Sequence, residues 1–365
     1  YFLFFILVFI FYKMNRYSEY GNDAPAHFVY FFFISEVILY LSNKNKSLIN
    51  NLILSFFIIQ NKILLIPVIL FNFIFLKFNK IKSLFKNKIF YFFLFFFLAW
   101  SLKNIFMTGC FLYPVKESCF KNLKWSNIEN TQLIAIESEI WAKGYSDLDY
   151  ESKLKINYEE FLKNFYWLDI WSTKHLKLIT KIMAPYLILC LLILLILYHG
   201  SKKVPQKKDK FEYYLISISF LTFIIWFIKA PLFRYGYSTI IIFLSCIFAS
   251  ILTSRKINYK KINYIFYPVC CILIVIFMTK NLNRIYENNN DYLNYPWPKY
   301  NSMTDNNNNS SFFEKKLNGK TILIPDEGYC MYSKKICTHY NSIDELKLKK
   351  SFGYYLITKK KNYNE

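Results

Sequence analysis

Arg16-Tyr17-Ser18-Glu19-Tyr20-Gly21-Asn22-Asp23-Ala24-Pro25-Ala26-His27 lies between two runs of almost pure hydrocarbon, Tyr1 to Tyr12 and Phe28 to Leu41. The two runs decide the fold, because segments this apolar repeat along the chain and point to helices that cross a membrane. The polar insert decides where to look for chemistry. Ionisable groups at a membrane border are costly to keep there, so Glu19, Asp23 and His27 within nine residues read as a functional site, with a plain polar turn between helices as the alternative.

The composition agrees with the membrane reading. The chain has 365 residues, of which 55% are hydrophobic and 21% aromatic, with eight glycines. It begins with Tyr1 inside an apolar run, which predicts a start within a helix. The net charge of +22 suggests nucleic acid only until the lysines are placed. They gather in short connectors between apolar runs, where they orient helices, so no nucleic-acid partner is expected.

Apolar spans are predicted at about 1–12, 27–42, 48–60, 63–77, 89–107, 181–199, 213–229, 237–253 and 263–279. Each even-numbered span is followed by basic residues: Lys44 and Lys46, then Lys77 to Lys88, then Lys202 to Lys210, then Arg255 to Lys261. Those connectors are predicted to be cytoplasmic. The Glu19–His27 loop, the Asn61-Lys62 turn, the loop 108–180, the short loop around Arg234 and the C-terminus then lie on the outer side. Asn61-Lys62 reads as a tight turn or as the break of a re-entrant pair. The predicted class is an all-α polytopic membrane protein of about nine spans with a small α/β outer tail stapled by a disulfide.

The domain reading is a transmembrane domain over 1–279, a linker over 280–311 and a small outer segment over 312–365. The loop 108–180 is too long for a simple connector. Thr131 to Lys143 and Tyr158 to His175 read as amphipathic helices at the interface, with Trp125, Trp141, Trp167 and Trp171 suited to headgroup level. In the tail, Thr321 to Pro325 reads as a buried strand and the stretch with Tyr354, Leu356 and Thr358 as a second strand.

Of the eight cysteines, Cys190, Cys246, Cys270 and Cys271 lie in apolar runs and read as small buried side chains. Cys110, Cys119, Cys330 and Cys337 lie in polar segments on the predicted outer side. Two even pairs there suggest the disulfides Cys110–Cys119 and Cys330–Cys337; zinc competes, but the Cys-x8-Cys and Cys-x6-Cys spacings suit it poorly.

A carboxylate can serve as general base on a sugar hydroxyl, and an arginine fork at the membrane edge suits a phosphate. Asp23 or Glu19 is therefore the candidate catalytic carboxylate, with Arg234, His27 and Tyr235 as candidate substrate contacts. Arg234 reads equally as a snorkelling anchor. Glu36, in the middle of the second run, reads as a group facing a polar cavity or as a hydrogen bond to a neighbouring helix. No Walker sequence, dinucleotide glycine fingerprint, zinc helix or nucleophile elbow is present, so no cofactor is named and metal dependence stays open.

Tyr20-Gly21-Asn22-Asp23-Ala24-Pro25-Ala26-His27 resembles the first outer loop of a family of uncharacterised bacterial multi-spanning proteins of surface-polysaccharide loci. Gly109-Cys110-Phe111-Leu112-Tyr113-Pro114, with Ser118-Cys119-Phe120 and Leu123-Lys124-Trp125-Ser126, resembles that family's cysteine-bearing loop. Phe233-Arg234-Tyr235-Gly236 is similar too, and Cys337-Thr338-His339-Tyr340 resembles its Cys-Thr-Pro-Tyr, with His339 in place of proline. In architecture the family is similar to the type C (GT-C) glycosyltransferases, which carry an acidic residue in the first outer loop. The resemblance implies a bacterial inner-membrane enzyme of envelope polysaccharide assembly. Its implied partners are a polyprenyl-phosphate sugar donor, a glycan acceptor and the bilayer. A flippase for a lipid-linked glycan and a non-catalytic assembly scaffold are the alternatives.

Overall fold

The computed structural model describes residues 1–13, 23–42, 48–73, 84–148, 157–163, 165–199, 201–203, 210–257, 259–287, 312–317, 319–325, 336–338, 346–351 and 354–359. The chain forms two compact units, Tyr1–Lys280 and Asn281–Glu365.

The first unit is helical. Its elements are α1 (Phe2–Lys13), α2 (Asp23–Ser42), α3 (Leu48–Asn61), a 3-10 helix (Ile63–Ile69) leading into α4 (Leu70–Phe73), α5 (Lys88–Thr108), α6 (Ile128–Ala142), α7 (Tyr158–Lys163), α8 (Trp167–Tyr198), α9 (Lys210–Lys229), α10 (Phe233–Thr253) and α11 (Tyr259–Glu287). Among the described residues, five are long and apolar enough to cross a membrane: α5, α8, α10, and the greater parts of α9 and α11. The other predicted spans coincide with α1, α2, α3 and the 3-10 helix with α4; of these α1, α3 and the stretch Ile63–Phe73 are shorter than a bilayer requires.

Burial ranks the helices. In α10 67% of the apolar window is buried, against 6% in α5 and in α11. The sequence of α10 explains its central place: Gly236, Ser238, Thr239, Ser245 and Ser250 are small and buried, and small residues let helices approach closely. α10 packs on α1, α2, α8 and α9. Gly236 marks the tightest approach, since a Cβ there would lie 2.1 Å from the Trp226 indole nitrogen. Peripheral placement of α11 also corrects two of the cysteines: Cys190 and Cys246 are buried, but Cys271 is exposed and Cys270 half-buried.

The loop after α5 is built as the cysteines suggest. Asn87 caps the start of α5 by accepting from the Ile89 N–H, and Gly109, at φ 77°, ends it by donating to the Ile105 carbonyl. Cys110 and Cys119 are joined by a disulfide. The Phe111 N–H donates to the Ser118 carbonyl at 2.9 Å, and the Phe120 N–H to the Gly109 carbonyl at 2.9 Å. Trp125 donates its indole N–H to the Ile105 carbonyl at 2.9 Å, and Ser126 packs where a Gly109 side chain would stand. The second disulfide is met halfway: Cys337 is disulfide-bonded, and its expected partner Cys330 lies outside the described residues.

Two loop expectations change. α6 starts before Thr131, because Asn127 accepts from the Asn130 N–H and caps it. The predicted helix Tyr158 to His175 is not one interfacial element: α7 ends at Lys163, Phe165 takes φ 56°, and Trp167 begins a helix that continues through one π-helical turn (Ser172–Leu176) into the apolar run. Trp167 and Trp171 are buried with Ile140 and Phe161 instead of facing headgroups, and the Trp171 indole donates to the Pro231 carbonyl at 2.7 Å.

At the other end of α10, β1 (Lys202–Lys203) pairs antiparallel with β2 (Arg255–Lys256), joining two of the basic connectors. The second unit holds two hairpins, β3 (Phe312–Leu317) with β4 (Lys320–Pro325) and β5 (Leu346–Ser351) with β6 (Tyr354–Lys359). Both expected strands form, but they are not partners; each pairs with a lysine-containing neighbour, β3 with no apolar alternation and β5 with a short one, Leu346-Lys347-Leu348-Lys349. Leu317, Ile322, Ile324 and Leu348 make its small core.

Candidate functional site

Three chain segments far apart in sequence meet at one end of the bundle. Asp23 is the first residue of α2, Lys62 is the connector between α3 and the 3-10 helix, and Arg234 is in the first turn of α10. An acidic group suits a helix start, where the helix dipole favours negative charge. Lys62 sits in extended backbone, φ −150° and ψ 98°, because the chain must reverse there to lay the 3-10 helix back on α3.

The side chains converge on the carboxylate. Lys62 Nζ donates to Asp23 Oδ1 at 2.5 Å, and Arg234 Nε donates to Asp23 Oδ2 at 2.9 Å. Tyr235 underlies both cations: its ring centroid is 4.3 Å from Lys62 Nζ and 5.2 Å from Arg234 Cζ. Side-chain exposure rises across the cluster, from 9% at Lys62 through 27% at Asp23 to 57% at Arg234. Arg234 is thus the exposed outer limb and Lys62 the buried inner one. Burial pushes the Lys62 ammonium down to about 8, against the opposing pull of Asp23 and with a smaller push from Arg234.

His27 lies beneath this cluster and is fully buried. Its Nε2 donates to the Arg234 carbonyl at 3.0 Å, and its Nδ1 accepts from the Ser238 hydroxyl at 2.6 Å. The ring also packs on Tyr237, with centroids 4.0 Å apart. His27 therefore ties α2 to the first turn of α10 and holds Asp23 and Arg234 in register. Glu19 lies outside the described residues. Glu36 is half-buried in α2, about 13 residues and roughly 20 Å of helix from Asp23.

Lys62 was not singled out by sequence reasoning, although one signal pointed to it. A lysine on the predicted outer side runs against the usual bias of positive charge toward the cytoplasm. A second group is also new. Glu139 bridges Lys143 at 2.7 Å and Lys229 at 3.0 Å, which fixes α6 over the end of α9 and brings Trp141 to 6.3 Å from Tyr235.

Chemically, two cations that already hold one carboxylate can hold another anion. Each carboxylate oxygen is engaged by one cation and keeps a further lone pair that can accept from a substrate hydroxyl. Among the described residues no group of three or more His, Cys, Asp or Glu is placed to hold a metal ion.

Residues 1–241 match the family described as a domain of unknown function (DUF8201). No curated protein and no solved structure matches the chain.

Proposed function

We propose that this chain, which belongs to the family described as a domain of unknown function (DUF8201), is a membrane glycosyltransferase or polymerase. Its donor is a polyprenyl-phosphate-linked sugar, and its product is part of a cell-envelope polysaccharide. The observation that carries the reading is the Lys62–Asp23–Arg234 cluster at one end of an apolar bundle. A lipid-linked phosphate reaches such a place from the bilayer, and a lysine beside an arginine fork recognises it.

The proposed cycle starts with exchange. The donor phosphate takes the place of the Asp23 carboxylate between Lys62 and Arg234, and Asp23 turns to the acceptor hydroxyl. The hydroxyl oxygen then attacks the anomeric carbon, its proton passes to Asp23, and the bond from that carbon to the phosphate oxygen breaks with its electron pair on the phosphate. Lys62 and Arg234 hold the charge that develops on the leaving group.

We place this end outside a bacterial inner membrane, with about nine crossings and an extracytoplasmic C-terminus. In support, the basic residues of β1 and β2 meet at the far end of α10. Lys280 donates to the Tyr12 carbonyl at 2.7 Å, at the end of α1 that leads toward Asp23.

A second reading, a transporter of lipid-linked glycans, is favoured by the interrupted segment 63–73 with Pro67 and by the buried Asn51, Ser55 and Asn72 packed in the same hairpin. Incubation of the full-length protein in proteoliposomes with labelled polyprenyl-phosphate sugars separates the two. Sugar transferred to an acceptor glycan supports the enzyme; label that crosses the bilayer with no new glycosidic bond supports the transporter.

A further inference from the structure

We infer that Trp141 is a sugar-stacking platform beside the phosphate clamp, an inference that rests on the glycosyltransferase reading. Trp141 stands in the last turn of α6 and remains 49% exposed although Ile140 and Ala142 on either side are buried. The exposure does not come from a frayed end. Glu139, two residues earlier, is tied to both Lys143 and Lys229, and Lys143 also lies 4.8 Å over the Trp167 ring. A large rigid indole is thus held open on a pinned helix.

Its neighbour gives the position meaning. The Trp141 ring is 6.3 Å from Tyr235 at 45°, and Tyr235 is the ring that carries Lys62 and Arg234 on its face. The aromatic surface therefore continues from the cations outward. A hexose joined to a phosphate has that same order of chemistry: an anion, then, one ring's breadth away, a flat patch of C–H groups. An indole face covers such a patch and excludes water from it. A tryptophan that served only to anchor the chain at the bilayer surface would need no cationic neighbour.

The test uses the full-length protein in lipid nanodiscs, with farnesyl diphosphate and farnesyl diphosphate bearing glucose, galactose or N-acetylglucosamine as probes. Wild type is expected to bind at least one sugar-bearing probe more tightly than the bare diphosphate. Trp141→Ala should weaken that probe about tenfold and leave the bare diphosphate unchanged, while Trp141→Phe retains most of the gain. Arg234→Ala should weaken both kinds of probe. The platform is overturned if wild type shows no sugar preference, or if Trp141→Ala weakens neither probe or both alike. Loss of the phosphate reading looks different: Arg234→Ala then leaves the bare diphosphate untouched. Melting curves on each variant confirm that the compared proteins are folded.

Discussion

The two ends of the bundle use the same residue types to opposite effect. At one end Lys62 and Arg234 come from separate segments, close on a single carboxylate and share one aromatic ring. At the other, lysines and Arg255 lie next to each other in sequence and pair through their backbones as β1 and β2, with Lys202 exposed and Arg255 stacked 3.8 Å over Tyr198. Glu212, an acid among the described residues of that end, accepts from the Ser250 and Thr253 hydroxyls. Charge that is merely abundant stays at the surface and sets orientation. Charge drawn into a bundle against its desolvation cost has to be paired, and it is the end with the paired charges that can exchange one anion for another.

The largest effect should come from Asp23. Asp23→Asn removes the proton acceptor, and loss of a general base costs about 10²–10⁴-fold in transfer rate. It also leaves Lys62 buried beside an uncharged group, so part of any loss could be structural. The double variant Asp23→Asn with Lys62→Met removes both buried charges together. A melting temperature that recovers in the double variant assigns the instability of the single variant to the unpaired Lys62; transfer lost by Asp23→Asn with farnesyl diphosphate binding retained assigns Asp23 to chemistry, and loss of both assigns it to the fold.

Gly236→Ala should come next. The added methyl meets a Trp226 ring that is buried and donates to the Leu232 carbonyl at 2.9 Å, so the indole cannot swing away freely. Overpacking of this kind costs about 1–3 kcal/mol, readable as a lower melting temperature in detergent. Because Arg234 and Tyr235 share that turn, phosphate binding should fall with it. An Ala variant with unchanged stability breaks the claim that α10 is positioned by this contact.

How much of this was legible in the sequence depends on range. Gly109, Cys110, Cys119, Trp125 and Ser126 form a local unit; the pair of cysteines in one polar outer segment suggested a loop closed by a disulfide, and the structure adds that Trp125 and Ser126 lock the end of α5. Hydrocarbon runs located the helices for the same reason, since hydropathy is a property of a window. Asp23 and Arg234 each carried a signal, and the charge pattern put both at the same end, so their approach was legible; their direct contact adds the packing of α2 on α10 through His27, 207 residues from Arg234. Lys62 was hidden in plain view as a turn residue. Its role arises from the 3-10 helix folding back on α3, which no periodicity encodes. Strand β3 shows no alternation because Glu314, Lys315 and Lys316 follow one another, whereas β5 does alternate over Leu346-Lys347-Leu348-Lys349 but for too few residues to stand out among so many lysines.

Lys62 gives a third test, in pH. Its ammonium is held near 8, below the ordinary 10.5, with Asp23, Arg234, His27 and Tyr235 as the groups that face it. The folded chain gives up this proton before the unfolded chain does. Stability from this group should therefore rise with pH between about 8 and 10.5. The clamp behaves oppositely, since it needs the charge. Binding of farnesyl diphosphate that depends on Lys62 should fall about tenfold between pH 7 and 9, and Lys62→Arg should flatten the profile because guanidinium stays charged. A flat wild-type profile removes Lys62 from the clamp.

The smallest effect should come from the opposite end, and it sharpens the comparison most. Lys202 is an exposed residue of β1, and the pairing with Lys256 uses backbone groups that survive any side-chain change. Lys202→Gln should change stability by no more than about 0.5 kcal/mol and leave transfer unaltered. Orientation should hold as well, because Lys203, Lys207, Lys208 and Lys210 remain in the same connector and the bias is set by the sum. A C-terminal reporter active only in the cytoplasm, fused to wild type and to Lys202→Gln, should stay silent in both. If instead Lys202→Gln reduced transfer as far as Asp23→Asn, the two ends would not differ in kind. The ribbon would then have to touch substrate, and pairing with a carboxylate would lose its standing as the mark that separates working charge from orienting charge.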